Sequence, residues 1–162
     1  MTIFLLDVNL LLALCDPQHI HHNPAHDWFA AKGKSAWATC PITENGFIRI
    51  ASHPSYPNSP GRASIAADLL RKFRKSSGHH FWPDTVSLMD EALFQLAPTL
   101  SANQTTDVYL LGLAVKHGGK LATFDQSIPA SGVIGGEHAL EIVTPVSPEF
   151  PRSEFPPSIM MR

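Results

Sequence analysis

The chain has 162 residues, of which 44% are hydrophobic and 16% charged. That suits one ordinary globular domain and excludes full disorder. Its 12 basic and 14 acidic side chains leave a formal charge of −2, so a nucleic-acid partner would need a local basic patch or bound metal. In chain order, Ile3 to Leu6 is a short apolar run that suits a strand buried on both faces. Asp7 and Asn9 interrupt the apolar stretch, which therefore reads as neither a signal peptide nor a membrane span. Asn9 is expected to cap a helix beginning at Leu10. A histidine-rich stretch follows, then a helix with Pro24 at its first position, ending at Gly33. Ala36 to Thr39 reads as a second strand. Pro41 opens the next helix, with Thr39 or Cys40 as its cap and Ile42, Phe47, Ile48, Ile50 and Ala51 at helical spacing.

Past a loop with prolines at 54, 57 and 60, residues 62 to 75 are helical, with Ile65, Leu69, Leu70 and Phe73 on one side. His79 to Trp82 is a strand candidate, and a helix is expected from about Leu88 to Leu96. Thr105-Thr106-Asp107 opens an apolar helix that Gly118 and Gly119 terminate. Lys120 to Phe124 is a strand ending at Asp125, and Leu140 to Val143 is a last short strand. Strands alternating with helices define an α/β domain with a mainly parallel sheet over residues 1 to 144. The final 18 residues, 145 to 162, hold five prolines and read as a proline-rich C-terminal tail outside the core. Its Phe150, Phe155 and Ile159-Met160-Met161 could serve to dock a partner, with a disordered end or a packing arm for a homodimer as equal alternatives. Cys15 and Cys40 stand in no ligand pattern, which excludes a disulfide scaffold and a structural zinc site and fits a reducing, cytoplasmic compartment.

Four acids share one kind of address. Asp7 and Asp125 follow strands, Glu44 lies in the first turn of the helix after the second strand, and Asp107 in the first turn of the helix before the strand of Asp125. In open parallel sheets the crevice outside the carboxyl ends of the strands is where sites form. Asp107 reaches it only if its helix start points back over that edge. Clustered carboxylates raise one another's pKa and stay ionised together only beside cations. Oxygen-only ligands select Mg²⁺ or Mn²⁺ over zinc. The plainer reading of Glu44 or Asp107 alone is a helix-dipole partner.

Four stretches carry a resemblance: Phe4-Leu5-Leu6-Asp7-Val8-Asn9, Thr43-Glu44-Asn45-Gly46-Phe47-Ile48-Arg49-Ile50, Thr106-Asp107-Val108-Tyr109-Leu110 and Leu121-Ala122-Thr123-Phe124-Asp125. In this order and at these separations the chain resembles the PIN-domain ribonucleases, most closely the VapC toxins of bacterial toxin–antitoxin pairs. The resemblance implies an α/β/α sandwich around a parallel sheet, a homodimer, and Mg²⁺- or Mn²⁺-dependent endoribonuclease activity on tRNA or rRNA by metal-activated water. It implies a cognate antitoxin as partner. It assigns the metal and catalytic role to Asp7, Asp107, Asp125 and Glu44, with Asn9 and Thr123 as supports.

Arg49, Arg71, Lys72 and Arg74 are candidate RNA contacts. For the last three the alternative is a solvated helix end with cations on the dipole, and for Arg49 it is pairing with a site acid. His19, His21, His22 and His26 suggest zinc, but with Pro24 as a helix start His22 and His26 need not share a face, and a polar loop is the plainer reading. Trp28, Trp37, Trp82, Phe29, Phe47 and Phe73 could stack on bases, but core packing is the expectation. A haloacid-dehalogenase-type phosphatase would want a second Asp where Asn9 stands. A receiver-type binding module would want an acidic pair and a strand-end lysine. A catalytically inactive PIN scaffold acting by protein association would not need all four acids.

Overall fold

The computed structural model describes residues 1–145. The expected proline-rich tail therefore lies, apart from Pro145, outside the described residues. Five strands, β1 (Phe4–Leu6), β2 (Trp37–Thr39), β3 (His79–Phe81), β4 (Lys120–Thr123) and β5 (Leu140–Ile142), form one sheet in the order β3-β2-β1-β4-β5. All neighbouring pairs are parallel. The helices are α1 (Val8–Cys15), α2 (His22–Trp28), α3 (Pro41–Ala51), α4 (Ala63–Arg74) and α5 (Thr105–Lys116). Among the described residues no helix is long and apolar enough to cross a membrane.

The three-layer arrangement follows from the period of the strands. Along β1, Phe4 and Leu6 join one buried cluster with Leu10, Leu11, Phe29, Trp37, Phe47 and Leu70, so α1 to α4 cover that face. Leu5, between them, joins the other cluster with Leu110, Leu113, Leu121 and Trp82 under α5. A strand buried on both faces has no polar side, which is why these runs are continuously apolar. The aromatic residues considered for base stacking belong to these clusters: Trp37 packs edge-on against Phe29 at 5.7 Å, and Trp28 against Phe4 at 5.2 Å.

Three expectations are corrected. Asp7, not Asn9, caps α1, accepting from the Val8 amide at 2.7 Å, and the helix starts at Val8. Asp can leave extended backbone and cap at once, so strand and helix join without a spacer. Second, α2 begins at His22, two residues before Pro24, and the His22 and His26 rings lie 4.3 Å apart on one helix. Each has a ring nitrogen on a carbonyl near the end of α1, Ala13 at 2.7 Å and Leu14 at 2.9 Å. They satisfy carbonyls that a helix end leaves open.

Third, residues 88–96 form turns rather than a helix. Ser87 Oγ and Asp90 Oδ1 accept from the Met89 and Ala92 amides, a local competitor to helical bonding. The segment instead bonds Gln95 N to Gly132 O and Ile134 N to Leu93 O. That sets the Phe94 ring against Gly112 of α5, where a Cβ would collide with the ring. Burial of Phe94, a tertiary contact, outweighs local helix propensity.

Candidate active site

In this strand order β1 lies between β2 and β4, so the chain crosses to one side after β1 and to the other before β4. That is the switch point at which an open parallel sheet leaves a crevice. Asp7 stands one residue past β1 and Asp125 two residues past β4, both at this crevice. Asp107 arrives from above, in the first turn of α5, whose start does point back over the edge, and it lines an open cleft of about 490 Å³ together with Asp7.

Thr123 ties the two strand ends together. It is fully buried, and its hydroxyl donates to Asp7 Oδ2 at 2.7 Å. It accepts from Asn9 Nδ2 and from the Asp125 amide, each at 3.0 Å. A hydroxyl offers one donor and two acceptor positions, so Thr123 is saturated. Asn9 Oδ1 in turn accepts from the Phe124 amide at 3.3 Å. Asn9 is thus a strap between the start of α1 and the end of β4.

Electrostatics mark the cluster. Burial pushes the Asp7 carboxyl up; Thr123 and the Val8 amide oppose this, and the charge of Asp125 adds to it. Burial, then the charges of Asp7 and Asp125, push the Asp107 carboxyl up to about 6. Loss of solvation leads for both groups, and repulsion among the acids adds to it. Among the described residues no three acidic, histidine or cysteine side chains form a ready-made metal cage. Both oxygens of Asp7 serve protein donors, and Asp125 Oδ1 accepts from the Ser127 amide and hydroxyl. Asp125 Oδ2 and both oxygens of Asp107 accept no hydrogen bond among the described residues. This oxygen-only donor set, in need of positive charge, fits a hard divalent cation.

Glu44 is held by partners outside the acid cluster. Its Oε1 accepts from Thr39 Oγ1 at 2.6 Å and pairs with Arg74 Nη1 at 3.1 Å. The Arg74 guanidinium also sits over the Phe81 ring, 5.5 Å from its centroid. With its one proton given to Glu44, Thr39 can only accept from His79 Nε2 at 2.8 Å, so His79 carries its proton there. Burial first, then Arg74 and His80, hold the His79 imidazole down to about 4. Residues 44 and 45 differ by about 100° around a helix, and it is Asn45 that lines the cleft with Asp7 and Asp107.

The candidate RNA contacts divide. Arg74 is engaged with Glu44, Arg71 pairs with Asp68 at 2.5 Å, and Lys72 lies in the last turn of α4. Arg49 lines the cleft, is exposed, and makes no ion pair among the described residues. Sequence reasoning missed Asn45; the signal was available in its i, i+4 spacing to Arg49 on one helical face.

A family model for the PIN domain matches residues 4–131. Among curated proteins, the chain is 46% identical over 131 residues to ribonuclease VapC44 of Mycobacterium tuberculosis, covering 81% of this chain and 92% of that one. It is 39% identical over 131 residues to ribonuclease VapC39 of the same organism, with coverages of 81% and 94%. Among solved structures, the fold is similar to M. tuberculosis VapC20, a sarcin–ricin-loop-cleaving toxin (TM-score 0.52, 15% identity, 81% of this chain and 96% of that one). It is also similar to VapBC2 of Rickettsia felis bound to a promoter DNA fragment (TM-score 0.50, 13% identity, 88% of this chain and 100% of that one). The chain belongs to the PIN-domain family, among its VapC-type ribonucleases.

Proposed function

We propose that this chain is a Mg²⁺- or Mn²⁺-dependent endoribonuclease, the toxin of a type II toxin–antitoxin pair. The observation that carries the reading is the convergence of Asp7, Asp107 and Asp125 at the sheet switch point, with the Asp107 carboxyl pushed up to about 6 by burial and by the other two. Asp7, Asp107 and Asp125 would hold the ion, which when bound supplies neutralising charge and polarises the phosphodiester. Thr123 and Asn9 keep Asp7 oriented and hold the end of β4 against α1. Asp107 and Asp125 Oδ2 accept no hydrogen bond among the described residues, and Asp7 Oδ1, which accepts only from the Val8 amide, keeps a lone pair for the ion. Arg49 offers its charge to a phosphate oxygen of the RNA. Glu44 acts through Thr39 and Arg74, fixing the first turn of α3 beside the cleft. No side chain needs to bond covalently to the substrate.

The ribonuclease names of the relatives support RNA as substrate, with tRNA or rRNA as the class that the toxin resemblance favours. The Rickettsia felis VapBC2 structure supports a cognate antitoxin as partner. A homodimer would use the apolar surface of exposed Met89, Leu96 and Ile134, and a cytoplasmic setting suits the unpaired Cys15 and Cys40.

The test is incubation of the full chain with total RNA in Mg²⁺ or in EDTA, followed by mapping of fragment ends. Cleavage at defined positions is expected in Mg²⁺ only, and Asp7→Asn abolishes it with the circular dichroism spectrum unchanged. Undiminished cleavage by that variant, or in EDTA, refutes the assignment.

A further inference from the structure

One face of α3 carries side chains that the acid cluster does not explain. Ile42, Asn45, Gly46 and Arg49, at helical spacing, line the cleft that holds Asp7 and Asp107. Arg49 also lines a neighbouring hollow of about 340 Å³, with His53, Ser55 and Tyr56. The two spaces share Arg49 as lining and so lie next to each other along α3, one holding the acids and the other at the helix end. Gly46 lets this face come close: a Cβ there would stand 2.7 Å from Val8 Cγ2, beside Asp7.

The charge pattern leaves donors open to an external partner. Asn45 and Arg49 are exposed, and among the described residues Arg49 pairs with no acid although it shares a cleft with two. Residues four apart on a helix have Cβ atoms about 5–6 Å apart, so Asn45 and Arg49 present donors at successive steps along the groove. Beyond them, two rings are held in place. His53 Nδ1 accepts from the Ser55 amide at 3.1 Å, and the Tyr56 hydroxyl donates to Asp16 Oδ2 at 2.7 Å. Backbone-binding donors followed by fixed rings are the parts that hold a single strand, whose bases are free to stack. An apolar protein helix would want an apolar face, which Asn45, Arg49 and His53 do not provide.

We propose that the groove along α3 seats the single-stranded RNA segment flanking the scissile phosphate. Asn45 and Arg49 hold its backbone, and His53 with Tyr56 meets a flanking base. This rests on the ribonuclease reading and adds where the strand leaves the acids.

The test measures binding of a labelled short oligoribonucleotide to the full chain carrying Asp7→Asn, which keeps the RNA intact, across a salt series. Arg49→Ala is expected to weaken binding about five- to tenfold, and to flatten the slope of log affinity against log salt by about 0.7, the value of one phosphate contact on a single strand. Arg49→Lys restores the slope. His53→Ala weakens binding about threefold with the slope unchanged, as lost stacking does. With Asp7 intact, Arg49→Ala raises KM more than it lowers kcat. Thermal melts confirm that each exposed-site variant is folded. If the parent binds RNA and the wild type cuts it, while Arg49→Ala matches the parent in affinity and slope, the groove assignment is overturned and the ribonuclease reading stands. If the wild type neither binds nor cuts RNA, both fall. Loss of binding to a polyglutamate peptide with RNA binding untouched assigns the groove to an acidic protein segment and overturns the proposal.

Discussion

Replacing Asp107 by Asn removes a charge that the folded chain holds at a cost. The Asp107 carboxyl titrates near 6 in the folded chain instead of at the usual 3.8. Being raised, it contributes stability that is fully present below about pH 3.8 and is lost as pH climbs through 6. Fully transmitted, that difference would destabilise the folded state near pH 7.5 by about 3 kcal/mol. The group is half-exposed, so solvent screening reduces this to about 1–2 kcal/mol. Its place in the first turn of α5 returns about 0.3–1 kcal/mol through the helix dipole. Asp107→Asn should therefore stabilise the metal-free chain by about 1 kcal/mol near pH 7.5. Below about pH 4 the gain should vanish, because Asp107 is then protonated in both states. The assay is urea denaturation in EDTA across this pH range. Saturating Mg²⁺ should reverse the order, since only a chain that binds the ion gains from mass action. The reasoning fails if the variant gains nothing near neutral pH, or gains equally at both ends of the range.

Thr123→Val keeps the shape but strands the Asp125 amide and weakens the hold on Asp7 and Asn9. It should cost about 2–3 kcal/mol in chemical denaturation and abolish cleavage; a loss under about 0.5 kcal/mol would contradict the hub role. Glu44→Gln keeps an acceptor for Thr39 and loses the charge facing Arg74, with an expected cost of about 1 kcal/mol. Mg²⁺ affinity, read by isothermal titration, should be unaltered, and a clear fall in that affinity would return Glu44 to the ion.

Much of the site was legible because strand ends and helix starts are local features. An apolar run closed by Asp7 and another closed by Thr123-Phe124-Asp125 fix two acids at one edge once the sheet is parallel, and a polar start before the apolar stretch of α5 allows Asp107 to join them. Glu44 was legible as a first-turn residue, but not its direction. That depends on Arg74, thirty residues on in the chain, and on Thr39 and His79 meeting across β2 and β3. The turns at 88–96 were hidden for a similar reason: their pattern suits a helix until Phe94 finds Gly112 of α5.

The amino-acid sequence alone determined the alternation of strands and helices, the two-faced core and the positions of the acids along the chain. These follow from hydrophobic period and capping chemistry, which act over a few residues. Tertiary structure alone decided which acids share a cleft, that Glu44 is drawn to Arg74, and that Arg49 makes no ion pair among the described residues beside Asp7 and Asp107. A charged side chain turns toward whatever counter-charge packing brings within reach, and that partner comes from a distant part of the chain.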